Sequence, residues 1–255
     1  MPKFAANLTM LYNEVDFLDR FAAAAKDGFA GVEFLFPYAY AKDELAGRLR
    51  EHGLTQALHN LPAGDWAGGE RGIACLPERL GEFRDGVAEA ACYAEALGCP
   101  RLNCIAGRRG PGLDEALLRA TLVDNLRHAA DVFAPAGRQV LLEPLNSRDT
   151  PDFLIDRSAS ALALLEEAGR PNLGLQYDIY HAQVMEGDLT NTLARNLRRI
   201  GHIQLADNPG RHQPGTGEIH FPFLFQHLHT LGYDGWIGCE YVPLGATEDS
   251  FDWML

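Results

Sequence analysis

The 255-residue sequence predicts an α/β protein built as one closed (β/α)8 barrel over residues 1–255. Three observations predict it. Short apolar runs rich in branched residues alternate with Ala/Leu/Glu/Arg stretches at helical spacing. Eight such runs occur, in a length close to the ~250 residues that one barrel of this kind needs. Acidic and amide residues stand at the ends of several runs, which in such a barrel is where chemistry is done.

The elements follow in order. A first strand over Phe4–Met10 leads to a helix over Asp16–Lys26, closed by Gly28. A second strand, Gly31–Phe36, precedes a helix over Glu44–Glu51 that stops at Gly53. The third strand, Leu54–Asn60, opens into the longest irregular stretch, Leu61–Leu76, which holds four glycines and Trp66. On the active face of a barrel, a loop of that length reads as a lid, with an ordinary structured excursion as the alternative. A helix over Glu78–Leu97, ending at Gly98, leads to the fourth strand, Pro100–Ile105. The next helix, Glu115–Phe133, runs toward Gly137, and Gln139–Leu145 is the fifth strand. A helix over Ala159–Ala168 stops at Gly169 before the sixth strand, Leu173–Ile179. Asn191–Arg198 is helical, His202–Asp207 is the seventh strand, Pro222–Thr230 is helical up to Gly232, and Trp236–Tyr241 is the eighth strand. Glycine just past a helix supplies the left-handed turn that releases the chain. A doubly wound sheet is the competing architecture. It would want a glycine-rich phosphate turn after the first strand, where this chain has Asn7-Leu8-Thr9-Met10-Leu11.

Composition narrows the function. With 47% hydrophobic and 22% charged residues the chain has apolar material for a large core. The formal charge of −13 argues against a nucleic-acid backbone as partner, which needs a basic surface, though not against a small anion held locally. No apolar run is long enough to span a membrane, and Met1-Pro2-Lys3-Phe4 lacks a signal peptide's apolar stretch, so a cytoplasmic location is the default expectation. Five cysteines without a CxxC pair read as reduced and mostly buried, and Cys239 reads as packing.

The sharpest signal lies at the strand ends. The fifth strand reaches Glu143, the sixth Asp178 and the eighth Glu240, while the seventh places Gln204 among apolar neighbours. Buried carboxylates are costly without a partner. Three of them with one neutral amide oxygen make an oxygen-rich site suited to Mg2+ or Mn2+ rather than zinc. A salt bridge to an arginine at the barrel mouth is the alternative for any one carboxylate; four such groups at matching strand ends favour a shared metal. Pro144 keeps Glu143 extended. His181, in the loop after the sixth strand, is a candidate donor to the substrate, against a plain loop histidine bonded to backbone. Arg211 is a candidate clamp for a substrate carboxylate, against pairing with Glu218 or Asp207. His59 is a candidate pocket residue, against a satisfied core histidine. Gly-x-Ser-x-Gly and the phosphate-binding Gly-x-x-x-x-Gly-Lys-Ser/Thr are absent from the sequence.

At these residues the sequence closely resembles the hydroxypyruvate isomerase family of the xylose isomerase-like TIM barrels. The matching stretches include Ala6-Asn7-Leu8-Thr9-Met10-Leu11, Gly31-Val32-Glu33-Phe34 and His59-Asn60-Leu61-Pro62-Ala63-Gly64-Asp65-Trp66. Gly69-Glu70-Arg71-Gly72-Ile73-Ala74, Gln176-Tyr177-Asp178-Ile179-Tyr180-His181, Ala206-Asp207-Asn208-Pro209, Pro214-Gly215-Thr216-Gly217-Glu218-Ile219 and Gly238-Cys239-Glu240-Tyr241 extend the match over almost the whole chain. The loop motif belongs to a narrow group, while the carboxylate pattern is shared across the superfamily. The resemblance implies Glu143, Asp178, Gln204 and Glu240 as metal ligands and Glu143 with Glu240 as the acid/base pair. His181, Arg211, His59 and Trp66 are the expected substrate contacts. Related ketose 3-epimerases usually carry histidine where this chain has Gln204, a departure that points to the isomerase branch.

The implied reaction converts a small anionic hydroxy-carbonyl compound, hydroxypyruvate, to tartronate semialdehyde through an enediolate, with the metal as Lewis acid and no redox cofactor. A 2-oxo-tetronate isomerase is the nearest alternative, and a sugar epimerase comes after it. Abasic-site nucleases share the barrel but need many histidines and a basic groove. A metal-binding barrel without catalysis would have little use for two opposed glutamates. Barrels of this kind often associate, so a homo-oligomer is compatible with the sequence, but no exposed apolar stripe specifies one.

Overall fold

Alternating runs of apolar residues become eight parallel strands that close on themselves in chain order. They are β1 (Lys3–Asn7), β2 (Gly31–Glu33), β3 (Thr55–Asn60), β4 (Arg101–Cys104), β5 (Gln139–Leu142), β6 (Leu173–Asp178), β7 (Ile200–Leu205) and β8 (Trp236–Cys239). The computed structural model describes residues 2–110 and 112–254; Met1 and Leu255, the ends of the expected domain, and Pro111 lie outside the described residues. β1 pairs with both β2 and β8, which closes the barrel and leaves no sheet edge to protect.

Most strands stop short of the expected boundaries. Ile105 and Leu145 belong to apolar runs, yet they leave the ladder and line a cavity at the strands' C-terminal ends. Apolar character there marks the cavity rim rather than continued pairing. β7 also begins earlier than expected, at Ile200, because the short turn Leu197–Arg199 feeds directly into it.

Among the described residues, eight α-helices cover the barrel: α1 (Arg20–Lys26), α2 (Lys42–Glu51), α3 (Leu80–Leu97), α4 (Glu115–Phe133), α5 (Ser158–Ala168), α6 (Ile179–Met185), α7 (Leu189–Asn196) and α8 (Phe221–Thr230). Their amphipathic spacing decides which face packs inward. α4 buries Leu118, Leu122, Leu126, Ala129 and Phe133 along one stripe. Its first turn is capped by Asp114, whose side chain accepts from Ala116 N–H at 3.0 Å. The glycines expected to end helices, Gly28, Gly53, Gly98, Gly137, Gly169 and Gly232, all have positive φ. α6 was not expected; seven residues are too few to show a helical period. No helix among the described residues is long and apolar enough to cross a membrane. All five cysteines are free; Cys92 is exposed and the others are buried, Cys239 among them.

The stretch Leu61–Leu76 is braced throughout. Glu70 N–H donates to Asp65 O at 2.9 Å, and the Glu70 carboxylate accepts from Asp65 N–H and from Arg79 at 2.8 Å. Cys75 N–H reaches Ala106 O, beyond β4, at 2.8 Å. Gly72 has φ +97°, and a Cβ there would stand 2.3 Å from Ile105 O, so the loop backbone lies directly on the end of β4. Of the two readings open from sequence, the structured excursion describes it: this is a wall with its own hydrogen bonds.

Candidate active site

β5 delivers Glu143 one residue past its end, with Pro144 holding the chain extended. β6 ends at Asp178, paired in register with Gln204 of β7. Glu240 follows β8, its N–H still bonded to Leu205 O at 3.1 Å. All four side chains are buried. Glu143, Glu240, His181, Trp66 and Arg211 line one cavity of about 310 Å³ together with Asn60, Arg71, Asp149 and Thr150.

Each glutamate is steadied by an amide from the next strand. Asn103 of β4 donates to Glu143 Oε2 at 2.7 Å, and Asn7 of β1 donates to Glu240 Oε1 at 3.3 Å. Neutral donors fix the carboxylates without cancelling their charge. Burial raises the Glu143 pKa well above the ordinary carboxylate value, and Glu240 and Asp178 raise it further, against the opposing pull of Arg211 and Asn103. Burial raises Glu240 too, with Arg211 opposing and Asp178 and Glu33 adding to the rise. Both glutamates therefore hold protons more firmly than exposed carboxylates do, the condition under which a carboxylate works as acid as well as base near neutrality.

Asp178 has two jobs. Its Oδ1 caps α6, accepting from Tyr180 N–H at 2.7 Å, and this fixes the first turn that carries His181. Its Oδ2 is buried without a hydrogen-bond partner among the described residues, though His181 Nε2 and Arg211 each stand 3.5 Å away. A carboxylate oxygen without a hydrogen bond, beside two more carboxylates, suits a cation.

Glu143, Asp178 and His181 bring ligand atoms within 4.8 Å of one another. His181, however, accepts the backbone N–H of Asn146 at Nδ1, 3.1 Å away. A backbone N–H only donates, so a neutral ring carries its proton on Nε2, facing the carboxylates. Burial pushes its pKa down to about 4, which keeps the ring neutral at physiological pH. In this arrangement His181 offers a hydrogen-bond donor toward the carboxylates.

Arg211 pairs with neither Glu218 nor Asp207. It donates to Glu240 and lies 3.5 Å from Asp178, with a quarter of its side chain exposed. Burial lowers its pKa, but Glu240 and Asp178 raise it by more, so the guanidinium stays charged. Its backbone is left-handed, φ +58°, in a loop organised by Asp207. That fully buried carboxylate accepts four backbone N–H groups: Asn208 at 2.9, Gly215 at 2.9, Gly217 at 2.9 and Ile219 at 3.1 Å.

His59 lies elsewhere. Successive strand residues face opposite sides, and Asn60 is the one that lines the cavity. His59 is wholly buried against Tyr38, with ring centroids 6.2 Å apart, and does not line the cavity. Neither ring nitrogen has a partner among the described residues, so it is not the satisfied core histidine either. The Asn60 amide is likewise without a partner and is the freer group to meet a ligand.

Burial pushes the His59 pKa down to about 3, with Arg138 adding to the fall. Above pH 6.5 the ring is neutral folded or unfolded. As pH falls from 6.5 toward 3 only the unfolded chain gains the proton, so His59 lowers stability with a limiting slope of about 1.4 kcal/mol per pH unit. The two glutamates act with the opposite sign, because their raised pKa values favour the folded state at low pH. Comparing His59→Phe with the wild type isolates the histidine. Urea denaturation between pH 6.5 and 4 is expected to show a stability difference that shifts by about 1.4 kcal/mol per unit in the variant's favour as pH falls. A constant difference would mean that folded His59 takes up its proton.

Beneath the cavity lies a second polar group not singled out from sequence. Glu33 accepts from Asn7 at 2.9 Å and from Gln204 at 2.8 Å, and its other oxygen meets His202 at 2.6 Å. Since a carboxylate accepts, the Gln204 nitrogen must face Glu33; its oxygen faces Gln176, which donates at 2.6 Å. A Cβ on Gly238 would stand 2.3 Å from both Glu33 oxygens, so only glycine leaves room for this carboxylate. Asn103 and Glu33 carried one readable signal, a polar residue inside an apolar strand of the same barrel.

Comparison with known proteins places the fold. The family described as xylose isomerase-like TIM barrel matches residues 21–255. The hydroxypyruvate isomerase of Escherichia coli (strain K12) is 51% identical, covering 100% of this chain and 98% of its own. The 2-oxo-tetronate isomerase of Cupriavidus necator is 50% identical with the same coverage. A crystal structure from Brucella melitensis, named AP endonuclease, family 2, superposes with a TM-score of 0.97 at 48% identity, covering 100% of this chain and 98% of that one. The chain belongs to the xylose isomerase-like TIM barrel family and, within it, to the isomerases that include hydroxypyruvate isomerase.

Proposed function

We propose that this isomerase interconverts hydroxypyruvate and tartronate semialdehyde, with the whole chain acting as one barrel domain. The observation that carries the reading is the pair of buried glutamates, Glu143 and Glu240, opening into one cavity with raised proton affinity. One takes the proton from C3 of the substrate and the other returns a proton to C2, while the C3 hydroxyl proton passes to the C2 oxygen, so the carbonyl moves by one carbon. His181, donating from Nε2, steadies an oxygen of the enediolate.

Glu143, Asp178, Glu240 and the Gln204 oxygen would hold Mg2+ or Mn2+. The unpartnered Asp178 Oδ2 and the all-oxygen donor set fit such an ion. When bound, it supplies Lewis-acid polarisation of the substrate oxygens. The Gln204 oxygen keeps a lone pair beyond the one that Gln176 uses.

The cavity has room for a three- or four-carbon acid, so 2-oxo-tetronate isomerisation is the second reading, supported by the relative of that name. A nucleic-acid substrate fits poorly with a −13 chain whose carboxylates open into a small cavity. The test is steady-state turnover of both acids by metal-stripped enzyme, with and without Mg2+ or Mn2+. Metal-dependent turnover preferring hydroxypyruvate is the expected result. A preference for the longer acid would favour the second reading, and turnover of neither would overturn both.

A further inference from the structure

The Arg211 guanidinium stands beside Glu240 and Asp178. A substrate carboxylate placed against it would meet two carboxylates at the same point and be repelled by both. The acid end of the substrate needs a cation elsewhere in the cavity.

Arg71 meets the requirement. It lines the cavity from the braced wall after β3. Its Nη1 donates to the backbone carbonyls of Glu70 at 2.7 Å and Trp66 at 3.1 Å, and the guanidinium lies over the Trp66 ring, 4.3 Å from its centroid. Those contacts fix its plane while leaving its charge unmatched, since it makes no ion pair among the described residues. Burial and the charge of Arg108 both pull its pKa below the ordinary arginine value. Arg108 itself has a buried Nε with no partner among the described residues. In a chain of net charge −13, Arg71, with the charge of Arg108 close enough to act on it, puts positive charge into the cavity that Glu143 and Glu240 also line.

We propose that Arg71 is the carboxylate anchor of the substrate and sets the preference for hydroxy-oxo acids over neutral hydroxy-ketones. Bound there, the acid end lies against the wall and the C2–C3 unit extends toward the two glutamates. A guanidinium fork matches a carboxylate bidentately, which orients the substrate as well as attracting it. This assignment rests on the isomerase reading for its substrate, but not for its anion site.

The test separates the two. With metal-loaded wild-type enzyme, Arg71→Met is expected to raise KM for hydroxypyruvate about 30-fold or more while kcat changes little, because the lost contact serves ground and transition state alike. Arg71→Lys should recover part of the loss. In metal-stripped protein, ligand-observed NMR with 3-hydroxypropanoate should show binding that Arg71→Met removes, and 1,3-propanediol should not distinguish the two proteins. A normal KM in Arg71→Met, with a raised KM in Arg211→Met, would overturn the anchor and leave the isomerase intact. Wild-type protein that turns over neither acid yet binds 3-hydroxypropanoate through Arg71 would support the anchor while the isomerase reading fails. Binding that ignores Arg71 would overturn it.

Discussion

Glu143→Gln is expected to lower kcat about 1,000-fold or more, the scale on which a positioned acid or base contributes, while the protein folds normally. Glutamine has the same shape and keeps an oxygen for the Asn103 amide. What it loses is the ability to take a proton and the negative charge that Glu240 and Asp178 oppose. Removing one of three crowded buried charges relieves repulsion, so the melting temperature should equal or exceed that of the wild type. Steady-state kinetics beside thermal denaturation checks both halves. A variant with near-normal kcat would take Glu143 out of the chemistry; a variant with a much lower melting temperature would make it a structural residue.

Asp207→Ala is expected to cost the most stability of any single change near the site. Four backbone N–H groups end on this buried carboxylate, and alanine strands those of Asn208 and Ile219 in a buried place and leaves those of Gly215 and Gly217 to partial rehydration. An orphaned buried donor costs about 1–3 kcal/mol, so even with partial rehydration the loss should reach about 4 kcal/mol. Activity should fall as well, because the same loop carries Arg211, whose N–H bonds Asp207 O at 3.1 Å. Asp207→Asn separates charge from count: it keeps one accepting oxygen and turns two hydrogens toward two donors, so it should lie between alanine and the wild type. Urea denaturation reads the order, and an alanine variant as stable as the wild type would show that the loop does not depend on this residue.

Much of the site was legible because barrels place chemistry at strand ends. Glu143, Asp178 and Glu240 each terminate an apolar run, and they fall at matching heights of the barrel. His59 shows where that rule stops. His59 and Asn60 are neighbours at one strand end, so one faces the cavity and the other faces outward, and only the register of β3 against β4 decides which. Glu33 and His202 are 169 residues apart, and nothing local announces their pairing. Arg211 was readable as a cation near the site, but its partners come from β6 and the end of β8, not from its own loop. α6 hid for a different reason: its cap, Asp178, already had an evident role as a strand-end carboxylate, and one side chain with two functions shows only the louder of them in sequence.

The wall after β3 has a consequence for how tightly a small substrate can be held. A small substrate offers few atoms, so little interaction energy is available to offset the ordering of a loop around it. Here Glu70, Asp65, Gly72 and Cys75 meet that ordering cost during folding, before any ligand arrives. Recognition is therefore preorganised. The few contacts the substrate makes remain available for affinity and alignment, and the cavity discriminates by the shape and charge it already has.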